Sequence, residues 1–145
     1  MKTFATIASA LVLSLSLSIG VAHAGSNQLS LDQFGFGNSF GSLQKGKFNK
    51  AAASQTGIFN DGQIIQKGKH NTAALGQAGA FNEGSISQIG KGNVGGIGQT
   101  GLFNSAKLKQ KGKNNGGVIL QNGVGNDADV SQTGANNTAV VLQDN

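Results

Sequence analysis

Small, aliphatic and polar positions alternate along this chain in short bursts that return every eleven residues. Each burst ends on a glutamine, at Gln33, Gln44, Gln55, Gln66, Gln77, Gln88, Gln99, Gln110, Gln121, Gln132 and Gln143. Two residues before Gln the chain carries Leu31, Ser42, Ala53, Ile64, Leu75, Ile86, Ile97, Leu108, Ile119, Val130 and Val141. Four before it stand Leu29, Phe40, Ala51, Gly62, Ala73, Gly84, Gly95, Ala106, Gly117, Ala128 and Ala139. Steps of two are the period of a strand with one face turned inward. Ten phrases continue as Gln-x-Gly-x-x-Asn, closing on Asn38, Asn49, Asn60, Asn71, Asn82, Asn93, Asn104, Asn115, Asn126 and Asn137. Gly favours positive φ and Asn bonds its side chain to nearby backbone, so this tail predicts a turn. Each unit thus predicts a strand of about five residues, from 29–33 to 139–143, followed by a tight arc.

Other architectures with this period fit worse. An eleven-residue repeat in a helix gives a right-handed coiled coil. Such a helix would carry an interior Gly in every repeat, each costing about 1 kcal/mol relative to Ala. A disordered tail rich in Gly, Asn and Gln needs only composition. It has no reason to hold three residue types in phase through ten copies.

One strand and arc cannot bury its inner face alone, but two facing units make a 22-residue coil that stacks on its neighbours. The phrases themselves alternate in kind. QFGFGN, QTGIFN, QAGAFN, QTGLFN and QNGVGN form one set, and QKGKFN, QKGKHN, QIGKGN, QKGKNN and QTGANN form the other. The expected fold is therefore all-β, a β-solenoid with two parallel in-register sheets of about five and a half coils over 29–145. Gln33, Gln55, Gln77, Gln99, Gln121 and Gln143 align in one sheet, and Gln44, Gln66, Gln88, Gln110 and Gln132 in the other. Stacked amides can bond up and down such a row, as in cross-β amyloid. That allows a polar side chain to be buried with its donors paired.

Stacking by 22 also segregates the arcs. One edge collects Phe34, Phe36, Ile58, Leu102 and Val124, with Phe59, Phe81 and Phe103 as an aromatic ladder. The other collects Lys45, Lys47, Lys67, Lys69, Lys91, Lys111 and Lys113, with His70 beside them. Ammonium groups one strand apart repel by about 1 kcal/mol per pair at water's dielectric. Such a stripe calls for a counter-charge, and anionic polysaccharide, lipopolysaccharide or extracellular DNA would supply one. The plainer reading is that these lysines keep the edge soluble. Val118, Leu120, Val140 and Leu142 are expected to stack in an outward apolar patch. Lys107, Lys109, Asp129, Gly95, Gly96 and Gly98 look like gatekeepers that temper the middle strands.

Composition narrows the function. The chain has 145 residues with no Cys, Pro, Trp or Tyr and with 24 Gly, so disulfides do not hold it. Residues 1–24 read as a secretory signal peptide, with Lys2, an apolar stretch and Ala22-His23-Ala24 as cleavage site. The alternative is an uncleaved anchor. Residues 25–28 form a short leader. Beyond them ten Lys face six acids, a net +4 with His neutral. No residues propose catalytic, metal or cofactor sites: His70 is the one imidazole beyond the signal segment, and the acids are scattered. Gly35-x-Gly37 is too short for a dinucleotide fingerprint. A monomeric glycan- or ice-binding solenoid is an alternative, although Thr56, Thr100 and Thr133 do not make the ladder an ice-binding face would show.

The phrase resembles the repeat of the curlins, the subunits of bacterial curli fibres, which is similar to Asn-x-Ala-x-x-x-Gln-x-Gly-x-x-Asn. It stands most fully as Asn49-Lys50-Ala51…Gln55-Thr56-Gly57…Asn60 and Asn71-Thr72-Ala73…Gln77-Ala78-Gly79…Asn82. Departures are Gly at 62, 84, 95 and 117 and Phe at 40, together with the short leader. The resemblance implies an extracellular functional amyloid of biofilm matrix, used in adhesion and surface attachment. It implies three partners: the chain itself, a curli nucleator subunit and an outer-membrane export channel. Unbroken repeats favour the major fibre subunit over the minor nucleator. With no cap evident at either end, Leu29–Gln33 is expected to dock on the terminal coil of the next copy.

Overall fold

The computed structural model describes residues 26–145; the signal peptide assigned to 1–24, and Gly25 of the leader, lie outside it. Eleven strands follow one another, and the first ten have nine residues each. They are β1 (Gln28–Phe36), β2 (Ser39–Lys47), β3 (Lys50–Ile58), β4 (Asp61–Lys69), β5 (Thr72–Ala80) and β6 (Glu83–Lys91). The chain continues through β7 (Val94–Leu102), β8 (Ser105–Lys113), β9 (Gly116–Val124), β10 (Asp127–Ala135) and the seven-residue β11 (Thr138–Asp144). Odd strands form a six-stranded sheet in the order β1-β3-β5-β7-β9-β11, and even strands a five-stranded sheet, β2-β4-β6-β8-β10. All pairs are parallel with a register of 22, so Gln33 faces Gln55 and Gln44 faces Gln66. This is the β-solenoid of 22-residue coils that the pattern predicts.

The strands are longer than the five residues expected. Gly35 and its equivalents do adopt positive φ, 115–131°, yet they bend the strand without ending it, because they remain in register with the Gly of the next coil. Only two residues, such as Gly37 and Asn38, separate one strand from the next. The repeated Gly is required twice over. Positive φ disfavours a side chain, and a Cβ at Gly57 would collide with the carbonyl of Gly79 in the adjacent coil.

Inside, the two sheets share a core in which Ile64, Ile86, Leu108 and Ile119 are fully buried. The Gly residues that depart from the family repeat have a packing cause. A Cβ at Gly62 would lie 2.7 Å from a Leu75 methyl, and one at Gly84 would lie 2.5 Å from the other methyl of Leu75. Gly95 and Gly117 stand in the same way against Leu108, at 3.0 and 2.8 Å. Ala73 and Ala106, by contrast, fit among the isoleucines of the core. Gly95 is therefore a buried packing position.

Candidate assembly site

Two kinds of amide row run the length of the solenoid. In the six-stranded sheet the Gln33 side-chain N–H donates to Gln55 Oε1, and the relay continues through Gln77, Gln99 and Gln121 to Gln143. The five-stranded sheet repeats it from Gln44 through Gln66, Gln88 and Gln110 to Gln132, each bond at 2.9 Å. The second Nε2 hydrogen is used as well. Gln55 donates to the Ser39 carbonyl and Gln66 to the Lys50 carbonyl, both at 2.8 Å, tying each sheet to the first residue of a strand in the other. A buried amide left unpaired costs about 1–3 kcal/mol. Among the described residues no buried side-chain nitrogen or oxygen lacks a partner.

The asparagines form rows of their own, which the sequence reading had reduced to local turn bonds. Asn60 donates both its backbone N–H and its Nδ2 to Asn38 Oδ1, each at 3.1 Å, and Asn82 does the same to Asn60. Nδ2 also reaches the carbonyl four residues back and that of a Gly in the next coil, as Asn60 does with Thr56 and Gly79. Within the arc the residue before Asn donates to the previous coil, as Phe81 N–H does to the Ile58 carbonyl. The residue after Asn donates to the next coil, as Asp61 N–H does to the Asn82 carbonyl. From the arc of Phe59 and Asn60 onward both N–H groups of each arc thus have a partner, which a sharp two-residue corner needs. Asn27, placed in the leader by sequence, belongs to this row, since its Oδ1 accepts from Asn49 N–H at 3.0 Å. The spacing of eleven before Asn38 was the signal that marked it.

The arcs divide as the phrases do. On one edge Phe59 and Phe81 stack at 5.4 Å and Phe81 and Phe103 at 5.0 Å, while Phe36 meets Phe59 edge-on. Asp61, Glu83 and Asp127 open the strands that leave this edge. On the other edge Lys47, Lys69, Lys91 and Lys113 occupy successive rungs, and all are exposed. The inner row of Lys45, Lys67 and Lys111 is interrupted by Ile89. Phe48, which the sequence reading passed over, sits among these lysines and stacks on His70 at 5.1 Å. At the far end Val118 faces Val140 and Leu120 faces Leu142, all on the outer surface.

The curlin associated repeat matches residues 82–112, 104–134 and 112–144. Over 82–144 the coils are curlin repeats. No curated protein and no solved structure matches it. The matched curlin repeats cover the later coils, and the earlier phrases from Gln33 to Gln77 hold the same rows and the same register. Curlins are structural fibre subunits rather than enzymes.

Proposed function

We propose that this curlin chain is the repeating subunit of an extracellular curli-type amyloid fibre of biofilm matrix. In this reading it is exported through the periplasm behind the signal peptide at 1–24 and serves adhesion. The observation that carries the reading is the pair of amide rows, which run unbroken to the last described coil. A further copy placed on that coil meets backbone and side-chain partners already in register. Open strand edges recruit strands in this way. Family resemblance supplies the remaining partners, a nucleator subunit and an outer-membrane export channel.

The test is purified chain 25–145 followed for seeded growth. Fibres that seed their own kind and diffract near 4.7 Å along the axis are the expected result. Removing 139–145 should slow elongation sharply, because it strips Gln143 and the β11 edge; unchanged growth would sink the reading. The same reading assigns the lysine edge to an anionic partner, either acidic polysaccharide, lipopolysaccharide or extracellular DNA. The uninterrupted Lys47, Lys69, Lys91 and Lys113 row supports it.

A further inference from the structure

Charge is sorted across the width of the solenoid. Asp61, Glu83 and Asp127 are the first residues of β4, β6 and β10, on the aromatic edge. Lys47, Lys69, Lys91 and Lys113 are the last residues of β2, β4, β6 and β8, on the opposite edge. All seven are exposed. A strand of this length spans about 25 Å, so the two rows cannot pair within one copy. Both rows belong to the five-stranded sheet and therefore lie on the same side of the molecule. A second copy laid alongside, in the plane of the sheets and pointing the same way, brings the acidic row of one against the lysine row of the other.

The spacing along each row selects an offset. Successive rungs of the acidic row carry Asp61, Glu83, Ser105 and Asp127, and those of the lysine row carry Lys47, Lys69, Lys91 and Lys113. With the two copies level, Asp61 meets Lys69 and Glu83 meets Lys91, but Asp127 meets Ala135. An offset of one coil sets Asp61 against Lys47, Glu83 against Lys69 and Asp127 against Lys113, so every acid of the row has a lysine. The same offset brings Phe59 to Phe48 and Leu102 to Val94, all exposed in the single copy. A copy turned end for end would present its acids to the first residues of the odd strands instead. Those are Lys50, Thr72, Val94 and Gly116, with one charge among them. Charge therefore favours neighbours that run in the same direction.

We infer that a second copy of this chain is the lateral partner: filaments lie parallel, offset by one coil, with the acidic and aromatic edge of one on the lysine edge of the next. The contact presupposes the end-to-end filament of the proposed function and adds what lies beside it. Exposed ion pairs are individually weak and screened by salt, so single copies do not pair. Three per copy, repeated along two filaments, hold through their number. Because the two edges differ, addition is open-ended and gives flat ribbons rather than closed pairs. The outermost lysine edge of a ribbon stays open to a polyanion.

Carbodiimide, which joins a carboxylate to an amine in contact without a spacer, reads the pairing in fibres of the natural sequence. At low salt the expected result is ribbons whose peptides carry Asp61–Lys47, Glu83–Lys69 and Asp127–Lys113 crosslinks. Ribbons and crosslinks should both be lost near 1 M salt, where screening acts within about 3 Å. Crosslinks from the acids to Lys50, or from Asp61 to Lys69 in place of Lys47, overturn the parallel one-coil register. Fibres that stay single at low salt without acid–lysine crosslinks overturn the lateral contact and leave end-to-end growth standing. A chain that forms no fibre at all fails the proposed function, and this contact with it. Charge reversal gives an independent reading. Asp61→Lys, Glu83→Lys and Asp127→Lys in one chain, and Lys47→Glu, Lys69→Glu, Lys91→Glu and Lys113→Glu in another, should each grow single filaments. Mixing the two preformed fibres should restore ribbons; ribbons from either variant alone overturn the contact.

Discussion

The residue before each lattice Asn has a left-handed backbone, with φ of 53–59° at Phe48, Phe59, Phe81 and Phe103. That conformation costs an L-residue about 1–2 kcal/mol, and bulky residues rarely adopt it. Gly37, Gly92 and Gly125 occupy the same position at φ 67–72° without that cost. Phe is retained where it stacks, and a stacked pair contributes about 0.5–1.5 kcal/mol beyond its buried area. Phe81 has a ring on either side, so two stacks offset one strained backbone. This balance leads to an unusual ranking at position 81. Phe81→Ala loses both stacks and keeps the strain, whereas Phe81→Gly loses the stacks and the strain together. The Gly variant should therefore be the more stable of the two by about 1 kcal/mol, read as the guanidinium midpoint of fibre dissolution. An Ala variant equal to or above the Gly variant would show that the strain is not borne there.

Between strands, the inner faces fit by volume. Leu75 lies between Gly62 and Gly84, with its methyls where their side chains would be. Gly84→Ala should destabilise the coil by about 1–3 kcal/mol, the usual cost of overpacking. Leu75→Ala added to it should cost far less than the sum of the two single changes. A double-mutant cycle in denaturant measures that coupling, and simple additivity would remove the explanation. This complementarity was not legible in the sequence, because Leu75, Gly62 and Gly84 meet only once the half-coil offset between the sheets is known. The offset-free features were legible: the spacing of Gln33, Gln55 and Gln77 within one sheet follows from the alternation of phrase types alone. Strand length was misread because positive φ at Gly57 suggested a corner, whereas its backbone stays in the ladder. The Asn rows were hidden for a related reason. Asn60 has the composition of a turn residue, and only stacking reveals that its side chain replaces a backbone carbonyl as acceptor for the coil above.

For the whole molecule, charge is arranged by edge, and its consequence is measurable. If the lysine edge holds a polyanion through displaced counterions, fibre affinity for DNA should fall steeply as salt rises from about 50 to 200 mM. Substituting Lys47, Lys69, Lys91 and Lys113 by Gln should flatten that dependence. Salt-insensitive binding would exclude the stripe, and absent binding would leave the lysines the task of keeping the edge soluble. The amide rows carry a different electrostatic consequence. Gln55 Oε1 accepts from Gln33, toward low residue numbers, whereas Asn38 Oδ1 accepts from Asn60, toward high ones. Amide dipoles aligned head to tail add, as they do along an α-helix. Here the glutamine and asparagine carbonyls point in opposite directions along the axis, so their contributions largely cancel. A filament of any length then gains little axial dipole from its side chains, and the field that meets an arriving copy does not grow with the number already joined.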